Sequence, residues 1–277
     1  MKKKMVFFSV ILSFLLFTGY CNALPSNGLV AAFNFNGDAK DSSGHGNHGI
    51  VNGARLTTDR FGKPNSAYEF DGKSNIRISN SSSLNLNNLT ISAWVKIFPG
   101  APLGMGIVGK DGKNLSKQFR LSTKGNNSDK FIIDAADTKG GFQNVAGTTT
   151  PLRNQWYHIV QTYDGKVLRL YVNGVFESET LYNNEDKGIV RSFLPVRRQE
   201  EVDKKGMKSW FVGKIDDVYI YSRALTEKEI TALYAAVPGA VSEPPVYLLF
   251  ALGLFGLIYY KRRPASSPRK VLRQKRS

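Results

Sequence analysis

The chain has 277 residues, 42% of them apolar and 22% charged, with one cysteine and a formal net charge of +16. The apolar share is too high for a disordered chain, and one cysteine excludes a disulfide scaffold or a cysteine-rich metal fold. Most of the basic excess lies at the two ends, in Lys2, Lys3 and Lys4 and in eight cations of residues 261–277, which leaves +5 for everything between. A charge of +5 spread over so long a stretch makes no basic groove, so no nucleic-acid partner is expected.

In chain order, residues 1–23 read as a secretory signal peptide. Three lysines precede the apolar run Met5–Phe17, and Cys21-Asn22-Ala23 places a small residue for cleavage after Ala23. A lipoprotein reading of Cys21 is disfavoured by the bulk of Tyr20, where a small residue is wanted. Cleavage after Ala23 removes the one cysteine, and the exported domain is then held by packing alone.

Residues 28–236 carry short alternating segments punctuated by Gly and Asn. Leu29–Phe35 runs into Asn36-Gly37, and Leu89–Lys96 sets Leu89, Ile91, Ala93 and Val95 on one face. Tyr157–Tyr163, Lys166–Val172 and Val175–Thr180 read as a three-stranded meander joined at Asp164-Gly165 and Asn173-Gly174, dipeptides that tolerate the positive φ of two-residue hairpins. Thr226-Glu227-Lys228-Glu229 is a capping box, followed by Ile230, Leu233 and Tyr234 at helical spacing. Many strands and one short helix predict an all-β jelly-roll sandwich.

Pro238 and Gly239 break the chain, so 237–245 reads as a linker. Residues 246–260 form an uncharged apolar run of 15, short for a span, flanked by Tyr247, Tyr259 and Tyr260 and stopped by Lys261-Arg262-Arg263. They read as a transmembrane segment with 261–277 as a basic cytoplasmic tail; a buried carboxy-terminal helix is the competing reading.

Several stretches resemble laminin G-like, concanavalin A-like lectin/glucanase domains. They are Gly28–Gly44, Asn65-Ser-Ala-Tyr-Glu-Phe-Asp-Gly72, Leu89–Lys96, Trp156–Gly165, Leu168–Gly174 and Gly213–Leu225. The stretch 183–209 is long and charged and departs from that pattern. Val241-Ser-Glu-Pro-Pro245, the apolar run and Lys-Arg-Arg resemble a PEP-CTERM sorting signal of Gram-negative bacteria, processed by an exosortase-like enzyme. Ser242 stands where that signal has its first proline.

The domain resemblance implies a concanavalin A-like β-sandwich and, in some members, a structural Ca²⁺ between the first loop and an aspartate of the last strand. Here that means Asp38 and Asp41, three apart in a Gly/Ser-rich loop, with Asp216 or Asp217. Turn chemistry accounts equally for the two loop aspartates. Strand alternation places Asp216 on the side of Val218 and Ile220, where a buried carboxylate needs a partner.

His45 and His48 lack a third ligand and read as a solvated loop, His158 as a structural histidine, and Trp94 and Trp156 as packing; Trp210 is less constrained. Glu177 and Glu179, two apart on a strand, could share a face as a glycosidase's carboxylate pair, but they lie at the end of a surface hairpin and read as solvated edge charges rather than catalytic acids. The function implied is an exported, envelope-anchored, non-catalytic module on the cell surface, binding a glycan or a surface protein. A glycan-active enzyme and a purely structural matrix protein are the alternatives.

Overall fold

Apolar residues at alternate positions bury one face of a strand, and the chain repeats that pattern until two sheets cover each other. A computed structural model describes residues 24–110, 119–124, 129–136, 142–182 and 211–236. The expected signal peptide, the 183–209 stretch, Trp210, the linker, the membrane segment and the basic tail lie outside the described residues. No helix among the described residues is long and apolar enough to cross a membrane.

The strands are, in chain order, β1 (Leu29–Phe33), β2 (Gly49–Asn52), β3 (Arg55–Thr57), β4 (Ala67–Asp71), β5 (Asn75–Ile78) and β6 (Leu89–Ile97). Next come β7 (Gly106–Gly109), β8 (Phe119–Thr123), β9 (Phe131–Ala136), β10 (Phe142–Ala146) and β11 (Trp156–Tyr163). The last are β12 (Val167–Val172), β13 (Val175–Leu181) and β14 (Val212–Tyr221), followed by the helix α1 (Glu227–Ala235).

One sheet of eight strands runs β13-β12-β11-β6-β14-β4-β3, with β1 on the second half of β14. A four-stranded sheet runs β10-β9-β8-β7, and β2 pairs with β5. All ladders within these sheets are antiparallel.

The main core lies between the sheets. Leu89, Ile91, Ala93, Val95 and Ile97 of β6 meet Leu121, Phe131, Ile133 and Val145 there. The face of β6 deduced from alternation is therefore the one buried. The meander is present as β11–β12–β13. Its second turn is the expected two-residue hairpin, with Asn173 at φ 51° and Gly174 at φ 79°. Its first turn is longer: Asp164, Gly165 and Lys166 separate the strand ends, and the Asp164 carboxylate accepts from the amides of Lys166 (2.9 Å) and Val167 (2.8 Å). The side chain of Asp164 thus stabilises a loop that the dipeptide alone does not require.

A second core lies on the outer face of the large sheet, where α1 packs. Ile230 and Leu233 are buried there with Ala32, Val160, Tyr171, Tyr219, Tyr221 and Leu225. The capping box is formed as the sequence indicates: Thr226 Oγ1 accepts from the Glu229 amide, and the Glu229 carboxylate accepts from the Thr226 amide at 2.8 Å. Arg223 pairs with that same carboxylate. The helix is short, so its stability comes from this apolar face rather than from propensity.

Candidate functional site

The first loop is a backbone staple. Asp41 Oδ1 accepts from the amides of Ala32 and Ser43, and Oδ2 from Asn47, each at 2.9 Å. Asn47 donates in turn to the Val30 carbonyl at 2.7 Å, which docks the loop on β1. Burial opposes ionisation of Asp41, but these donors outweigh it and hold its pKa below the usual carboxylate range. Asp38 is exposed, accepts from the Lys40 amide and pairs with the Lys40 ammonium at 3.2 Å. His45 is exposed, and His48, also exposed, accepts from the Asp41 amide through Nδ1.

The last strand differs from its expected geometry at the two aspartates. Asp216 stands opposite Trp94, yet Tyr219 stands opposite Ser92, so β14 carries one extra residue between them. Asp217 takes φ 44° within this bulge. An inserted residue reverses the alternation. Val218 and Ile220 face the main core while Asp216 faces outward beside Trp94, which corrects the expectation that they share a side.

Asp216 does have a partner. Arg60 Nη1 reaches Asp216 Oδ2 at 3.1 Å and Asp217 Oδ2 at 2.6 Å, and Nη2 donates to the Ala236 carbonyl just after α1. The guanidinium carbon lies 4.4 Å from the Trp94 ring centre and 4.6 Å from that of Phe61. Trp94 also stacks on Tyr234 at 5.5 Å. Tyr219 donates to Asp217 Oδ1 at 3.0 Å.

All three side chains are buried. Desolvation pushes both carboxyl pKa values up; mutual repulsion adds to this at Asp216, and Arg60 only partly offsets it. His158, on the same outer face, meets Ser92 Oγ through Nε2 at 2.8 Å. Burial, with repulsion from Arg60 second, lowers its pKa to about 3, so the ring is neutral.

The four aspartates therefore form two separate clusters. Asp41 is occupied by three N–H donors, and Asp216 and Asp217 already share a cation in Arg60. Among the described residues no group of three or more His, Cys, Asp or Glu side chains is placed to hold a metal. These residues do not fit a calcium ion, which wants six to eight oxygens free to turn toward it.

The glutamate pair is also engaged. Glu177 accepts from the amides of Thr148 (2.8 Å) and Thr149 (3.3 Å) and from the Thr149 hydroxyl. Glu179 pairs with Arg169 at 2.8 Å. Trp94 does pack, as expected, but on the outer face beneath Arg60 rather than between the sheets. Arg60 carries no sequence signal, because it sits in a turn-rich segment far from residues 216–217. Only the pairing of β14 with its neighbours brings it there.

The profile of the concanavalin A-like lectin/glucanases superfamily matches residues 70–231. The chain belongs to this superfamily. Several solved structures share its fold. Domain 4 of AbnA, a GH43 extracellular arabinanase from Geobacillus stearothermophilus solved with arabinotriose, aligns with a TM-score of 0.58 at 24% identity, over 74% of this chain and 98% of that one. The binding domain of Paraclostridial Mosquitocidal Protein 1 aligns with a TM-score of 0.59 at 21% identity, over 76% of this chain and 52% of that one. The botulinum neurotoxin serotype D ligand binding domain, solved with N-acetylneuraminic acid, aligns with a TM-score of 0.59 at 15% identity over 76% of this chain. The concanavalin A-like chain described here spans about half the length of those two toxin domains. No curated protein matches it in sequence.

Proposed function

We propose that this concanavalin A-like domain is a non-catalytic glycan-binding module, exported and held at the cell envelope. The observation that carries the reading is the superfamily match over 70–231 on a sandwich fold that also occurs in domains solved with arabinotriose and N-acetylneuraminic acid. The acids support a binding role over hydrolysis. Retaining glycosidases hold two free carboxylates about 5–5.5 Å apart. Here Glu177 is used by a loop, Glu179 by Arg169, and the adjacent Asp216 and Asp217 by Arg60.

Export rests on the Lys2–Lys4 and Met5–Phe17 pattern, and anchoring on the apolar 246–260 run followed by cations. An exosortase-like enzyme is the processing partner that Val241–Pro245 and this run would address. The test is a glycan array probed with the purified full-length protein: a saccharide retained reproducibly supports the reading, and retention of none overturns it. Cell fractionation with mass spectrometry of the mature carboxy terminus tests the anchor. An intact chain recovered in the cytoplasm overturns export.

A further inference from the structure

The outer face of the four-stranded sheet carries a polar row that the fold does not need. Phe119, Leu121, Phe131, Ile133, Ala135 and Val145 point into the main core, so Arg120, Ser122, Ile132, Asp134 and Asn144 point away from it. Register aligns them across the strands. Arg120 of β8 stands opposite Asp134 of β9, and Asp134 stands opposite Asn144 of β10. The three side chains thus form one line with a step of about 4.8 Å per strand. The flanking row holds Gly106, Ser122, Ile132 and Ala146, small apart from Ile132, so the polar row stands above a low floor.

Asp134 is only 9% exposed and its carboxylate is oriented from two sides: Arg120 Nε donates to Oδ2 at 3.0 Å and Ser122 Oγ at 3.1 Å. Among the described residues, those bonds leave Oδ1 as an acceptor without a partner and both Nη groups of Arg120 as donors without one, and the exposed amide of Asn144 has neither its donor nor its acceptor engaged. A donor, an acceptor and a group that is both, held on rigid strands, match adjacent hydroxyls of a sugar. The guanidinium and carboxylate cancel in charge, which selects a neutral saccharide over an acidic one. Ile132 beside the row offers an apolar contact to a ring's C–H face.

We propose that Arg120, Asp134 and Asn144 form the saccharide subsite of this domain and that its ligand is a neutral oligosaccharide. This rests on the glycan-binding reading above. The test is binding of the full-length protein to immobilised neutral trisaccharides (arabino-, xylo-, gluco- and manno-series), with sialyllactose as the acidic comparator. The variants are Asn144→Ala, Arg120→Met and Asp134→Asn. Asn144→Ala touches no described contact and keeps the fold, so it remains informative where Asp134→Asn loses stability. Loss of about tenfold or more in affinity for a neutral trisaccharide in Asn144→Ala and Arg120→Met, at unchanged melting temperature, is the expected result. Wild-type affinity in both variants overturns the subsite and leaves the glycan reading standing. Binding confined to sialyllactose overturns the ligand class. Binding of no saccharide by the parent protein overturns both.

Discussion

Replacing Arg60 by Met keeps most of the side-chain volume between Trp94 and Phe61 and removes the only cation described against Asp216 and Asp217. Removing one partner of a buried ion pair costs about 3–5 kcal/mol, because the other charge stays desolvated. For a domain of this size each kcal/mol moves Tm by about 2–4 °C, so the expected fall at pH 7.5 is about 6–20 °C.

The loss depends on pH with a definite sign. Both carboxyls titrate above their ordinary value in the folded state, chiefly through desolvation. The folded domain therefore keeps protons that the unfolded chain has released. Stability from the pair is fullest below the ordinary carboxylate pKa and declines as pH rises through the folded one. Asp216 titrates at about 8 in the folded domain, and Arg60→Met raises it further, so the deficit is larger at pH 9 than at pH 7.5, by up to about 1.4 kcal/mol per pH unit for each extra proton kept. Thermal melts followed by circular dichroism at the two pH values measure this, and Asp216→Asn in the Arg60→Met background restores part of the loss. A deficit under 1 kcal/mol at pH 7.5, or an equal deficit at both pH values, refutes the account of a buried charge cluster.

The remaining predictions follow from local geometry. Asp41→Ala strands the amides of Ala32, Ser43 and Asn47 and loses about 2–4 kcal/mol in urea denaturation, while a chelator added to the parent protein leaves Tm unchanged. Glu229, held at a pKa of about 2 chiefly by Arg223 and the Thr226 cap, contributes above the ordinary glutamate pKa and loses that contribution as pH falls toward 2. Glu229→Gln therefore costs about 1 kcal/mol at pH 7, discounted for its partial exposure, and nothing resolvable near pH 2 in acid-denaturation curves. Gly213→Ala would set a Cβ 2.1 Å from the Lys96 carbonyl oxygen, so β6 and β14 must separate. A loss of about 3 kcal/mol is expected, read as poor soluble yield or a lowered denaturation midpoint.

Alternation along Leu89–Lys96, the Asn173-Gly174 hairpin and the Thr226–Glu229 capping box were legible in the chain because each is decided by residues a few positions apart. The superfamily resemblance was legible for the same reason, as short motifs in order. The calcium set came from the resemblance and joined two segments about 175 residues apart, whose side chains the fold engages separately. The side assigned to Asp216 was wrong because it assumed that β14 alternates without interruption. The bulge at Asp217 depends on how β14 pairs with both β6 and β1, which no local pattern records. The role of Arg60 was invisible for a related reason, since a surface-type residue in a turn becomes a buried counter-ion only when β14 is laid beside it.

By itself, then, the sequence determined an all-β sandwich, the faces of its strands, and the concentration of its +16 charge at the two ends. Tertiary structure decided where charge is buried and which polar groups stand free. It seated Arg60 against Asp216 and Asp217, occupied Asp41 with amides, and aligned Arg120, Asp134 and Asn144 across three strands. Periodicity sets which side of a strand a residue faces, but only the register between distant strands sets which residues meet.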